Sequence, residues 1–127
     1  MFSRLRSAMF ETVLLPMDAN PQALDTTVKA LELVQGHDSR LVLLKLLDLA
    51  PDPPLLVRIQ ARIDQSGVPC QRLERGGEPL TVILDVADEL NVDVIVMGTG
   101  GVSLNSDDGS TAARVIELAP CPVLVVP

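Results

Sequence analysis

The chain has 127 residues, 47% of them apolar, a formal charge of −7, two Phe and no Trp or Tyr. That size fits one domain with a core that needs no staples, and the composition excludes a disordered chain. The acidic balance, the lack of a basic cluster and the scarcity of aromatic rings argue against nucleic acid and anionic membranes as partners. No apolar run is long enough to span a membrane.

The opening stretch, "MFSRLRSAMFETVLLPMD", lacks the pattern of a signal peptide. Residues 1–8 show no apolar period, so they are expected to form a flexible extension ahead of a single domain over residues 9–127. "TVLLPM" reads as a buried strand. A helix is expected to follow, capped by Asn20 with Pro21 in its first turn, and with Leu24, Val28, Leu31 and Val34 as its buried stripe. Gly36 is read as its left-handed exit and His37, in "GHDS", as a solvated turn residue. With its lone His read as a solvated turn residue, Ser-His-Asp and HExxH chemistry are unsupported.

"RLVLLKLL", Arg40 to Leu47, is the second strand, with Lys45 expected to extend its ammonium to the sheet end. Asp52 and Pro53 mark the cap and first turn of a helix whose inner face carries Leu55, Leu56, Ile59 and Ile63 and which ends at Gly67. "PCQRLERGG" alternates too many charges for a central strand and belongs at an edge. "EPLTVILDVADELN" is a helix with Leu80, Ile83, Leu84, Ala87 and Leu90 inward. "DVIVMG" is the fourth strand, Ser110 to Ala119 the last helix with Val115 and Ile116 buried, and "CPVLVVP" the last strand. Alternation of this kind gives a parallel sheet with helices on both faces. Such sheets bind ligands beyond the carboxyl ends of their strands, where strand order reverses. Cys70 and Cys121 make neither a zinc spacing nor a CxxC pair, which fits reduced thiols in the cytoplasm.

Between the fourth strand and the last helix runs "VMGTGGVSLNSDDGST", which holds four of the chain's eight glycines. Glycines there let backbone N–H groups approach a phosphate. Asp107 and Asp108, however, stand just ahead of the helix start. A carboxylate capping that helix gains about 0.3–1 kcal/mol from its dipole. Repulsion of a phosphate about 4 Å away amounts to about 4 kcal/mol at an effective dielectric near 20. The larger effect is repulsion, so the anion site is weakened unless Mg²⁺ bridges Asp18, Asp107 or Asp108 to the phosphate. Ser110 serves equally as the N-cap of the last helix, a role worth about 1 kcal/mol that competes for the same N–H groups.

Three stretches together resemble the universal stress protein family: "VLLPMD", "ELNVDVIVMGTGG" and "RVIELAPCPVLVVP". The resemblance covers Phe10 to Pro127. It implies an α/β fold with one five-stranded parallel sheet of order 3-2-1-4-5 in Rossmann-like or flavodoxin-like layering. A response regulator, which shares that topology, would require an Asp where the third strand here ends in "ERGG".

Nucleotide-binding members of the family resemble one another in a loop pattern G-x2-G-x9-G-[ST]. Gly98 and Gly101 match its first pair and Gly109 and Ser110 its last, but seven residues intervene where the pattern has nine. The resemblance further implies that Asp18 contacts the nucleotide and that Leu46 lies against adenine, while the short "LAPDPP" leaves no room for a lid. It implies a homodimer through Val123, Leu124, Val125 and Val126, paired across a two-fold axis. The implied order puts Cys70 and Cys121 four strand spacings apart, about 19 Å, beyond the roughly 7 Å a disulfide tolerates.

Three readings follow. The first is a cytoplasmic, homodimeric stress-response protein whose adenine-nucleotide pocket is weak or vestigial. The second is a functional binder of ATP, with Mg²⁺ and at most slow hydrolysis, for which no residue presents itself as a general base. The third is an interaction module for a protein partner.

Overall fold

The computed structural model describes residues 10–17, 20–47, 51–98 and 111–127. The expected extension over residues 1–8 lies outside them. In chain order the elements are β1 (Thr12–Met17), α1 (Ala23–His37), β2 (Arg40–Leu46), α2 (Pro53–Ser66), β3 (Cys70–Arg75), α3 (Pro79–Glu89), β4 (Val94–Gly98), α4 (Thr111–Leu118) and β5 (Val123–Val126).

The five strands form one parallel sheet of order β3-β2-β1-β4-β5, as expected. Side chains alternate across it. Val13, Leu15, Met17, Leu41, Leu43, Val94 and Val96 meet α1 and α2 on one face. Leu14, Val42, Leu44, Leu46, Ile95 and Met97 meet α3 and α4 on the other. Strands covered on both sides must be apolar throughout, which is why β1, β2 and β4 read as unbroken hydrophobic runs. β3 is the charged edge, and its burial is correspondingly slight. Cys70 therefore opens one edge strand and Cys121 precedes the other, and both thiols are free.

α2 follows the sequence closely: Asp52 accepts from the N–H of Leu55 at 2.9 Å, and Gly67 closes the helix at φ 72°. α1 departs from expectation at both ends. Asn20 is not its cap. The Asn20 carbonyl accepts from the N–H of Ala23 and its side chain from that of Gln22, both at 2.9 Å. Residues 20–23 thus make a turn with Pro21 second, a position that fixes the same φ as a helix start. The exit is Asp38 at φ 52°, not Gly36, which stays helical. His37 likewise lies in the helix, half-buried, its ring edge-on to Phe10 at 4.9 Å.

The inward stripe of α1 is Ala23, Thr26, Thr27, Ala30, Leu31 and Val34, with Leu24 and Val28 only half-buried. Small residues occupy the first two turns of that stripe, and Leu31 and Val34 complete it as expected. In α4, Val115 is fully buried but Ile116 is 44% exposed, against expectation. Ala112 and Val115 point inward three residues apart, and the next residue falls off that stripe at the sheet margin.

α3 begins at a glutamate cap. Glu78 accepts from the N–H of Thr81 at 2.8 Å and its hydroxyl at 2.7 Å, and more distantly from the N–H of Leu80. The Thr81 hydroxyl, then its N–H, holds the Glu78 carboxyl below the ordinary glutamate value. A depressed value in the folded state stabilises the fold above the unfolded value, and that contribution is lost as pH falls through the folded one. Glu78→Ala is expected to lower the melting temperature near neutrality, with the gap to wild type narrowing below about pH 4.3. Calorimetry over that range checks this; a gap independent of pH would refute it.

Candidate functional site

β1 is the strand at which the order reverses, since the chain moves outward to β2 and β3 on one side and to β4 and β5 on the other. In open sheets of this order a ligand crevice lies at the carboxyl ends of the strands flanking the reversal, here those of β1, β2 and β4. They are Met17, Leu46 and Gly98. Of the residues read from the sequence as a site, Leu46 and Gly98 are described and stand at this end of the sheet. Asp18, Gly101, Asp107, Asp108, Gly109 and Ser110 lie outside the described residues.

Leu46 and Gly98 do not share a face. Leu46 is packed into the core beneath α3 and α4 and is 4% exposed. Gly98 turns its bare side toward α1, where Thr26 stands. The two strands are separated by β1, so about 10 Å divides them. Gly98 also pairs in register with Val126 of β5.

Two neighbours bear on the site, Leu47, read from sequence only as the end of the second strand, and Thr26, which the sequence reading missed. Leu47, just past β2, is 50% exposed and lies against Gly76 at the end of β3, an apolar surface at the carboxyl end of the sheet. Thr26 was hidden by its place in a helix, although the run of small residues at Ala23, Thr26, Thr27 and Ala30 is the signal that a helix approaches closely. Lys45 reaches the carboxylate of Glu74 on β3 at 3.6 Å, so its charge is already partnered. Among the described residues no three His, Cys, Asp or Glu side chains gather as a metal site would require. The thiols lie elsewhere. Burial raises the pKa of Cys70, partly offset by Arg72, and burial followed by the charge of Asp93 raises that of Cys121. Both stay protonated near neutrality.

The model of the universal stress protein family matches residues 55–127, from α2 to the end of β5. The chain is also 40% identical to Universal stress protein Sll1654 of Synechocystis over 94% of its own length and 87% of that protein's. The chain belongs to the universal stress protein family. Among solved structures, a universal stress protein in complex with cAMP superposes at a TM-score of 0.77, with 20% identity, over 94% of this chain and 98% of that one. The universal stress protein of Archaeoglobus fulgidus in complex with dAMP superposes at 0.69, with 22% identity, over 94% and 99%. At those identities the likeness is one of fold. No helix among the described residues is long and apolar enough to cross a membrane.

For this universal stress protein the position of Leu46 has a direct consequence. Its side chain is a core element. Leu46→Ala is expected to lower unfolding stability by about 3 kcal/mol, while Leu47→Ala leaves it nearly unchanged. Urea denaturation of both variants measures this, and equal effects would place Leu46 outside the core.

Proposed function

We propose that this universal stress protein binds an adenine nucleotide weakly at the carboxyl end of its sheet, favours one phosphate over three, and acts as a cytoplasmic homodimer in a stress response. The observation that carries the reading is the reversal of strand order at β1, with β4 ending beside it at Gly98, the first glycine of the family's loop pattern. Two relatives of the same fold are described with cAMP and with dAMP, each a nucleotide of one phosphate. A triphosphate would bring more charge toward Asp107 and Asp108, in a chain already at −7, with Lys45 engaged by Glu74. Asp18, Gly98, Gly101, Gly109 and Ser110 are the residues assigned to the nucleotide, and Leu46 and Leu47 the apolar ground beside its base. The reading assigns no catalytic residue.

Calorimetric titration of AMP, cAMP and ATP, each with Mg²⁺ and with chelator, tests it. AMP is expected to bind at least about tenfold more tightly than ATP, and Asp107→Asn with Asp108→Asn to raise ATP affinity about tenfold. Abolition of binding by that double change would assign the carboxylates to Mg²⁺ instead. Tight metal-free binding of ATP by the wild type, or no binding of any nucleotide, overturns the reading.

The dimer is supported by the β5 edge. Leu124 is 43% exposed. Beside it runs a groove of about 440 Å³ lined by Lys29, Leu33, His37, Leu124 and Val126. An uncovered apolar edge strand invites pairing, and a second copy of the same strand completes it about a two-fold axis. Sedimentation is expected to give a dimer for the wild type at micromolar concentration and a folded monomer for Leu124→Lys. A wild-type monomer refutes it.

A further inference from the structure

Gly98 does not adopt a left-handed backbone, unlike Gly67 and Gly77, so its φ is open to any residue. What bars a side chain is space. A Cβ on Gly98 would stand 2.7 Å from the Thr26 hydroxyl oxygen, well inside contact distance, and 3.8 Å from both the Thr26 Cβ and the Val126 carbonyl oxygen. The Thr26 side chain is buried and cannot swing clear. In a helix threonine favours two χ1 positions, and exchanging them puts the methyl, of larger radius, where the hydroxyl stood. The helix cannot recede either, because Ala23, Thr27 and Ala30 seat it against the sheet. The Thr27 hydroxyl bonds the Ala23 carbonyl at 2.8 Å, whereas that of Thr26 stands 3.4 Å from the Gln22 carbonyl, a long contact that leaves it pressed toward β4.

We infer that Thr26 is a positioning residue of the nucleotide crevice: its hydroxyl, seated under Gly98, sets the height of the last residue of β4, and this contact is what requires glycine there. The functional consequence rests on the nucleotide reading above. Gly98 is where the chain leaves the sheet toward Gly101, Gly109 and Ser110. A displacement of its backbone displaces the origin of that whole segment, and ligand contacts tolerate little misplacement. Thr26 thereby acts on affinity through Gly98. The competing account, in which position 98 must be bare so that phosphate can approach, makes a different prediction for paired substitutions.

Gly98→Ala, Thr26→Ala, the double variant and Thr26→Ser distinguish them, read by thermal melting without ligand and by calorimetric titration with AMP. Gly98→Ala is expected to melt several degrees below wild type or fail to fold. The double variant, in which the new Cβ keeps only the two ordinary 3.8 Å contacts, is expected to melt close to Thr26→Ala. Its AMP affinity should recover to within about threefold of that of Thr26→Ala. Thr26→Ala should itself bind AMP several-fold more weakly than wild type, and Thr26→Ser, which keeps the hydroxyl, should restore binding. A double variant that melts as low as the two single effects added together overturns the inference. So does one that regains stability without regaining AMP affinity, since bareness at 98 then serves the ligand. A wild type that binds no AMP overturns the nucleotide reading and with it the functional half, while the ligand-free melting comparison still decides the contact itself.

Discussion

The parallel pairing of β1 on both of its edges is the constraint on which the rest of the molecule depends. β2 takes one edge from Thr12 to Met17, and β4 takes the other at Val13 and Leu14. Helices cover both of its faces, and of its six residues all but Pro16 are buried. The amino end is fastened by polar groups: the N–H of Thr12 donates to the Asp93 carboxylate, the N–H of Asp93 donates to the Thr12 carbonyl, and Arg40 Nε donates to the Thr12 hydroxyl. With that end closed, the carboxyl end is where the neighbours diverge, since β4 pairs with β1 only at Val13 and Leu14, and where the nucleotide is proposed to bind. Fold and site are two consequences of one strand's position.

The two edges of the sheet are handled in opposite ways. β3 carries Arg72, Glu74 and Arg75, which pair with Asp64, Lys45 and Glu89. Exposed pairs of this kind contribute about 0–1 kcal/mol each to stability. Their larger effect is to make the edge a poor template for another strand. β5 has no charge at all, and its Leu124 stands open beside the outer flank of α1. A chain that guards one edge and leaves the other apolar has a built-in polarity for association.

α1 links the edges to the crevice. Its small inner residues bring it near β4, and its outer residues Leu33 and His37 line the groove along β5. The same helix therefore bears on the surface where a second copy is proposed to pair and on the residue from which the glycine-bearing segment departs. Substitutions that reseat α1 act on both places at once.

The sequence by itself determined the class of fold, because a two-faced core demands apolar strands and amphipathic helices in alternation, and that pattern is local. It also marked β3 as an edge through its charges, and α2 through Asp52, Pro53 and Gly67, whose roles are set by backbone geometry within a few residues. The glycine-bearing segment and Leu46 were legible as site features only through the family resemblance. Tertiary structure alone decided what depends on neighbours distant in sequence. Pro21 is equally suited to a turn and to a helix start, and the hydrogen bonds of Asn20 chose the turn. Ile116 is as apolar as Val115, but the margin of the sheet leaves one of them without a surface to cover. Leu46 and Gly98 were expected at one site, and the alternation of side chains put them on opposite faces. Gly98 reads in sequence as a phosphate glycine, and only the seating of α1 shows Thr26 filling the space beneath it. Periodicity reports which face of an element is buried; it carries no information about the distance at which the opposing element stops.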